Sequence, residues 1–161
     1  MLVYNIPTLS GITFTYDEMD RLLQIPGVEG MKYTSYDLFS LQRLIRKYPE
    51  KSLFLGYDEL LLSALSFGAD AAIGSTYNIM LPQYISIVKE FAAGNLKAAQ
   101  DMQACVNEVM AALCEVGIFK GIKAVLAAQG FDCGDCRRPF LPLTAEEKAK
   151  ALTAAEKAGI I

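Results

Sequence analysis

One pattern recurs four times in the first half of the chain and restricts the fold more than any other feature. A short, continuously apolar run ends in polar residues and is followed by a helical stretch; the runs lie at 2–7, 28–35, 52–59 and 69–78. Continuously apolar strands are typical of parallel sheets that are covered on both faces, whereas strands with one wet face alternate. The pattern therefore predicts four successive βα units and an α/β fold.

The helical stretches are recognised by apolar residues at steps of three and four. Two lie between the predicted strands, at 15–24 and 35–48. After the fourth strand the sequence predicts helices only, at about 81–94, 96–117, 119–129 and 144–158.

Signals at the ends of these later helices support the prediction. Asn95 is a candidate N-cap, Gly130 is a candidate C-cap, and Thr144 begins a capping box. Within the first of them, Leu81, Ile85 and Val88 form an apolar stripe at helical spacing.

Lys32 stands at the end of the second apolar run, where a strand should hand over to a loop. A parallel array with polar residues at the strand ends describes a (β/α) barrel or a doubly wound sheet, and in both folds the chemistry lies at the carboxyl ends of the strands. No G-x-G-x-x-G motif follows the first strand, which disfavours a dinucleotide-binding fold. An amine held among apolar neighbours loses hydration, its pKa falls, and it can attack a carbonyl carbon to form a Schiff base. The alternative is an ordinary solvated lysine beyond a strand end.

The chain contains no histidine, which excludes Ser-His-Asp and Cys-His catalysis and removes the commonest metal ligand. The net charge of -3 is spread along the chain, so there is no footprint for nucleic acid or for an anionic membrane surface. Chemistry based on a lysine amine is left with few competitors.

The four cysteines favour a reduced, cytoplasmic chain. Cys133 and Cys136 have the spacing of a redox pair or of half a zinc site, but a zinc site needs four ligands. Cys105 and Cys114 lie nine positions apart on a helical stretch and are predicted to pack. We recognise no signal peptide and no apolar run near the ~18 residues of a spanning helix.

Four segments carry a resemblance to a known family: Tyr4–Pro7, Gly30–Ser35, Gly56–Glu59 and Gly74–Met80. Their motifs and their order resemble the dihydrodipicolinate synthase family of class I aldolases. The implied fold is α/β, a (β/α)8 TIM barrel, of which this chain would supply about strands five to eight plus a C-terminal helical extension. Residues 1–93 would form four βα units, and 94–161 the extension packed on the same domain.

Within the family, Tyr33-Thr34-Ser35 after the lysine and Gly56-Tyr57-Asp58-Glu59 resemble the lyases that cleave N-acetylneuraminate, a sialic acid, to N-acetylmannosamine and pyruvate. The resemblance implies that Lys32 forms the Schiff base and that Tyr4 relays the proton. It also implies contacts with the substrate, above all with its polyol tail, by Thr34, Gly56, Asp58, Glu59 and Ser75. No metal and no organic cofactor is implied.

Several alternatives stay open at this point. The substrate could be that of a dihydrodipicolinate synthase or of a 2-keto-3-deoxy-sugar aldolase, and the chain could also be an inactive half-barrel that acts only in assembly. Asp58-Glu59 could serve a helix dipole instead of a ligand, or could do both.

The implied partners follow from the missing half of the barrel. The family holds the pyruvate carboxylate with a hydroxyl-bearing turn after strand two, which has no counterpart here; Ser10–Thr13 has suitable residue types but follows strand five. Open sheet edges and a bare inner face predict association, either with a second copy or with a separate N-terminal half-barrel.

Overall fold

A computed structural model describes residues 1–69 and 71–161. The fourth predicted strand includes Asp70, which lies outside the described residues. The chain divides into two compact units, Met1–Gly74 and Ser75–Ile161. The first unit contains the sheet and the second contains helices only. The predicted division at 93/94 follows the family's architecture and stays a prediction.

The first unit is built on a four-stranded parallel sheet in the order β1-β2-β3-β4, which confirms the α/β class. The strands are shorter than the apolar runs, because the polar ends of the runs form loops and turns. Lys32 lies inside β2, one residue before its end, and not at the junction with the loop. The strands are β1 Leu2–Asn5, β2 Gly30–Tyr33, β3 Ser52–Leu55 and β4 Ala71–Ala72.

Helices follow the strands as predicted, and side-chain caps mark the starts of two of them, α2 (Tyr16–Leu23) and α3 (Leu38–Lys47). Thr15 and Glu18 form a capping box at the start of α2, and the Asp37 side chain accepts the backbone N–H of Ser40 at the start of α3. One short helix, α1, was not predicted. The helices of this unit are α1 Pro7–Ser10, α2 Tyr16–Leu23, α3 Leu38–Lys47 and α4 Leu61–Ser66, with a 3₁₀ turn at Asp58–Leu60 before α4.

The core of the first unit lies between one face of the sheet and its helices. Because side chains alternate along a strand, Met31 and Tyr33 of β2 point to the same face. Leu53 and Leu55 of β3 lie on that face too, and all four are buried. The helices cover this face with Met19, Leu23, Leu41, Leu44 and Ala64. Lys32 and Phe54, which alternate with these residues along β2 and β3, occupy the opposite face. Tyr4 of β1, in register with Lys32, lies on that opposite face too.

The second unit is a set of four helices at the predicted places, α5 Tyr77–Ala92, α6 Leu96–Val116, α7 Ile118–Ala128 and α8 Ala145–Lys157. The capping box at Thr144 and Glu147 is present, and Gly130 follows α7 with a φ of 95°. Asn95 precedes α6 but makes no side-chain cap; its amide donates to Glu90 instead.

The apolar stripe that predicts α5 is not the face of the helix that packs. Leu81, Ile85 and Val88 of α5 are exposed, whereas Tyr84 and Ile87 on another face of the same helix are buried. The segment has apolar residues on several faces, so spacing alone could not identify the one that packs. The prediction that Cys114 packs is wrong, since its side chain is exposed. Cys133 and Cys136 are free thiols in the loop after α7.

No helix within 1–69 or 71–161 combines the length and the hydropathy that crossing a membrane requires.

Asp20 connects α2 to the end of α3. Its Oδ1 accepts from Lys47 Nζ at 2.7 Å and from the Tyr48 hydroxyl at 2.7 Å. The hydrogen bond from Lys47, and next that from Tyr48, lowers the pKa of the Asp20 carboxyl below its usual range.

We expect Asp20→Asn to lower the free energy of unfolding at pH 7 by about 1 kcal/mol or less, the range of surface ion pairs. A carboxyl whose pKa is lowered in the folded state stabilises that state at every pH above the ordinary carboxyl pKa. This stabilisation is lost as the pH falls through the lowered pKa. Urea unfolding of the variant and the parent should therefore differ at pH 7, and the difference should shrink as the pH falls below the ordinary carboxyl pKa. Glu50→Gln, at an exposed carboxylate, is the control. A difference between Asp20→Asn and the parent that does not shrink as the pH falls would contradict the assignment.

Candidate active site

Tyr4 and Lys32 occupy equivalent positions on neighbouring strands. In the parallel register of β1 and β2, Tyr4 pairs with Lys32, so both side chains leave the same face of the sheet side by side. The Nζ atom of Lys32 lies 4.4 Å from the centroid of the Tyr4 ring, within the range of a cation–π contact. The two residues predicted to carry the chemistry are thus brought together.

The face that holds this pair is accessible. The Tyr4 side chain is 50% exposed and Leu2, two residues earlier, is 46% exposed. Lys32 is only partly exposed. Phe54 of β3 is the next residue in register and supplies an apolar neighbour on the far side of the lysine. A small carbonyl compound can reach the amine from the open face, where the aromatic ring of Tyr4 borders it.

Thr34 and Gly56 follow the ends of β2 and β3 and pack directly on each other. A Cβ at Gly56 would lie 1.8 Å from Thr34 Oγ1, so glycine is required here for space. Thr34 is buried, and no partner for its hydroxyl oxygen occurs in the described part of the chain. Buried polar atoms are normally paired, so this oxygen calls for an explanation. Its predicted contact with the substrate stays a prediction.

Asp58 and Glu59 lie in the 3₁₀ turn that follows β3, and their carboxylates have different surroundings. Asp58 is buried, and a Cβ at Gly74 would lie 1.6 Å from its Oδ1. The absence of a side chain at Gly74 therefore makes room for the Asp58 carboxylate. Glu59 is partly exposed, and its Oε1 accepts a hydrogen bond from the Tyr36 hydroxyl at 3.1 Å.

Two tyrosines beside Glu59 were missed in the sequence. Tyr36 follows β2 and Tyr57 follows β3; their rings stack with centroids 4.4 Å apart and planes 22° apart. Both come just after strand carboxyl ends, which is the signal that could have identified them. The contact between them depends on loop geometry that sequence spacing does not give.

Two further hydroxyl-bearing residues named in the sequence analysis, Ser75 and Ser10, make local contacts. Ser75 is the first residue of the second unit; it is partly exposed, and its backbone carbonyl accepts from the Asn78 amide at 2.8 Å. The Ser10 hydroxyl donates to the carbonyl of Ile6 at 3.0 Å and accepts from the N–H of Ile12 at 3.2 Å, so it serves its own turn. Across residues 1–69 and 71–161, no three cysteine or carboxylate side chains cluster as metal ligands would.

Comparison with known proteins gives a consistent result. Residues 1–158 match the dihydrodipicolinate synthetase family. An N-acetylneuraminate lyase of Escherichia coli K12 is 43% identical over 144 residues, which are 89% of this chain and 48% of that protein. Many other proteins match as well.

Solved structures give the same result for the fold. CdNal from Clostridium difficile, solved with mannosamine, superposes with a TM-score of 0.91 at 30% identity over 98% of this chain and 54% of that one. N-acetylneuraminate lyase from Fusobacterium nucleatum, complexed with pyruvate, has a TM-score of 0.89 at 30% identity, over 98% and 53%. These neighbours are TIM barrels, and the chain spans about half the length of the relatives it matches.

Proposed function

The chain belongs to the dihydrodipicolinate synthetase family, and on that premise we propose that it provides the Schiff-base half of an N-acetylneuraminate lyase-type aldolase. The observation that carries the proposal is the in-register pair of Tyr4 and Lys32, with Nζ 4.4 Å from the phenol ring on an accessible face. Cleavage of a hydroxylated 2-keto acid through an imine needs an amine nucleophile and a general acid–base group, and a lysine and a tyrosine phenol can fill these roles.

Lys32 begins the reaction by attacking the C2 carbonyl of open-chain N-acetylneuraminate. Loss of water from the carbinolamine gives a protonated imine on Nζ. The positive imine nitrogen then accepts the electron pair of the C3–C4 bond as that bond breaks, so the remaining three-carbon fragment becomes an enamine. No metal is needed for this step, because the imine itself is the electron sink.

Tyr4 relays the proton during cleavage. As the C3–C4 bond breaks, the C4 hydroxyl becomes the aldehyde of N-acetylmannosamine and gives up its proton, which the Tyr4 oxygen accepts and passes on. The enamine takes a proton at C3 to become the imine of pyruvate. Water then attacks that imine, which releases pyruvate and restores the amine of Lys32.

The polyol tail is assigned to the loops after β2 and β3. Asp58 and Glu59 offer carboxylate acceptors for sugar hydroxyls. Thr34 and the backbone of Gly56 border the same strand ends, and Ser75 follows the fourth strand. That one relative is solved with mannosamine and another with pyruvate supports both parts of this substrate. A dihydrodipicolinate synthase-like enzyme, or a 2-keto-3-deoxy-sugar aldolase, would share the lysine and differ in these loops.

The test is to trap the imine with borohydride in the presence of N-acetylneuraminate and to map the label by mass spectrometry. We expect the peptide that contains Lys32 to gain the mass of reduced N-acetylneuraminate and, after cleavage, that of reduced pyruvate. A peptide labelled by pyruvate but never by N-acetylneuraminate would favour the synthase-like alternative. Labelling confined to other lysines would reject the proposal.

The sheet also supports a proposal about assembly. β1 and β4 are its edges within the described residues, and Leu2, Tyr4 and Ile73 leave apolar surface exposed. Unpaired edges and a bare sheet face favour association in water. We propose that a second copy, or a separate chain with the other half of the family's barrel, covers this face. Of these two partners, only the separate half would provide the carboxylate-binding turn.

We expect light scattering of this chain alone at micromolar concentration to give more than the mass of one chain. When the complementary half is added, we expect the two to form a defined complex. Efficient cleavage of N-acetylneuraminate should require such a complex. A single-chain mass together with full lyase turnover would contradict the assembly proposal. We also propose a reducing, cytoplasmic location for the chain, which its free thiols Cys133 and Cys136 support.

A further inference from the structure

The stacked tyrosines form an arrangement with Glu59 that the proposed mechanism does not use. Tyr36 is 66% exposed, yet both its ring and its hydroxyl make contacts. Its ring stacks on Tyr57 at a centroid distance of 4.4 Å, and its hydroxyl donates to Glu59 Oε1 at 3.1 Å. An exposed tyrosine on a loop normally samples several rotamers, so two contacts that fix the same side chain need a reason.

The contacts connect two loops through a carboxylate. Tyr36 belongs to the loop between β2 and α3, whereas Tyr57 and Glu59 belong to the segment that follows β3. The phenol donates to one carboxylate oxygen, and a carboxylate can accept several hydrogen bonds at once. Tyr36 therefore fixes the direction of the Glu59 carboxylate.

We propose that Tyr36 is a positioning residue for sugar recognition: stacked on Tyr57, it holds the Glu59 carboxylate in the orientation that accepts hydroxyl groups of the polyol. The inference rests on the proposed function, since it concerns the part of the substrate that becomes N-acetylmannosamine. Because the carboxylate is ordered before the sugar arrives, binding does not have to order it. Pyruvate has no polyol, so Tyr36 should not affect pyruvate.

The experiment measures binding of N-acetylmannosamine to the chain by ligand-observed NMR titration, which does not require Lys32 chemistry. Tyr36→Phe keeps the stacked ring and removes the hydroxyl, and we expect it to weaken binding by about threefold to tenfold, the effect of one hydrogen bond. Tyr36→Ala, which also removes the stack, should weaken it at least as much. Phe39→Ala is the matched control, since Phe39 is an aromatic residue of α3 that is 71% exposed.

A double-mutant cycle separates positioning from a general structural role. If Tyr36 acts through Glu59, then Tyr36→Phe added to Glu59→Gln should cost little beyond Glu59→Gln alone. Additive losses, an unchanged affinity in Tyr36→Phe, or no binding of N-acetylmannosamine by the unsubstituted chain would each overturn the proposal.

Borohydride trapping of pyruvate at Lys32, measured on the same variants, distinguishes failure of this inference from failure of the proposed function. We expect the pyruvate label to be unchanged in Tyr36→Phe and in the Phe39→Ala control. An equal loss of pyruvate label and sugar binding would mean that Tyr36 supports the local fold, which overturns the positioning role. If the sugar result is as expected but no variant, nor the parent, takes the pyruvate label, the positioning role stands and the Lys32 mechanism fails.

Discussion

Replacing Lys32 by alanine should abolish the pyruvate-derived label that borohydride fixes on the chain, while the unfolding transition stays cooperative. The substitution removes the amine that the proposal assigns to the imine, so the loss should be complete within the detection limit of intact-protein mass spectrometry. Lys32→Arg sharpens the test: it keeps a positive charge near the Tyr4 ring but cannot form a stable imine, so it should be equally unlabelled.

Lys51→Ala is the matched control for this prediction. Lys51 precedes β3 at the opposite end of the sheet, where its Nζ donates to the carbonyl of Val28 at 2.7 Å. The control variant should keep the full label. A label of normal size in Lys32→Ala, or its loss in Lys51→Ala with Lys32 intact, would show that another lysine carries the imine.

Replacing Tyr4 by phenylalanine should slow cleavage of N-acetylneuraminate by about 10²–10⁴-fold in a complex that turns over, the usual range for a general acid–base group. The change deletes one hydroxyl and keeps the ring, so the contact with Lys32 Nζ survives. The measurement is the steady-state rate of pyruvate release, with borohydride labelling by pyruvate as a parallel reading of the imine. The rate should fall much further than the label.

Tyr16→Phe provides the control for Tyr4, because the ring of Tyr16 also makes a cation–π contact. The guanidinium carbon of Arg43 lies 3.6 Å from the Tyr16 ring centroid. Removal of that hydroxyl should leave the rate nearly unchanged. If Tyr4→Phe turns over at the parent rate, the proton passes through another group and the relay assignment is wrong.

The features that the sequence predicted well are those encoded locally. Four apolar runs at βα spacing were enough for a parallel sheet, and the capping box at Thr144 marked a helix start that the structure reproduces. The pairing of Tyr4 with Lys32 also became predictable once both were placed near the ends of adjacent parallel strands. Short-range rules of propensity, capping and alternation carry this information.

The features that escaped depend on packing between segments distant in sequence. The stack of Tyr36 on Tyr57 spans two loops, and the room that Gly74 leaves for Asp58 appears only when both turns are built. The packing of α5 is a further case: the spacing of its apolar residues predicts the helix, but these residues lie on more than one face, so the spacing does not identify the face that packs.

The register between β1 and β2 has a consequence for how such a chain can change. Backbone bonds from the N–H of Glu29 to Met1 and from the N–H of Thr34 to Asn5 continue the ladder beyond both ends of the strand pair. A one-residue insertion or deletion within β1 would turn Tyr4 to the helix-covered face, although every side chain in the pair would still be present. The proposed chemistry is thus specified by the alignment of two backbones as much as by two residue types. Among homologues, a change in strand length before Tyr4 should therefore be as damaging to the reaction as loss of the tyrosine itself.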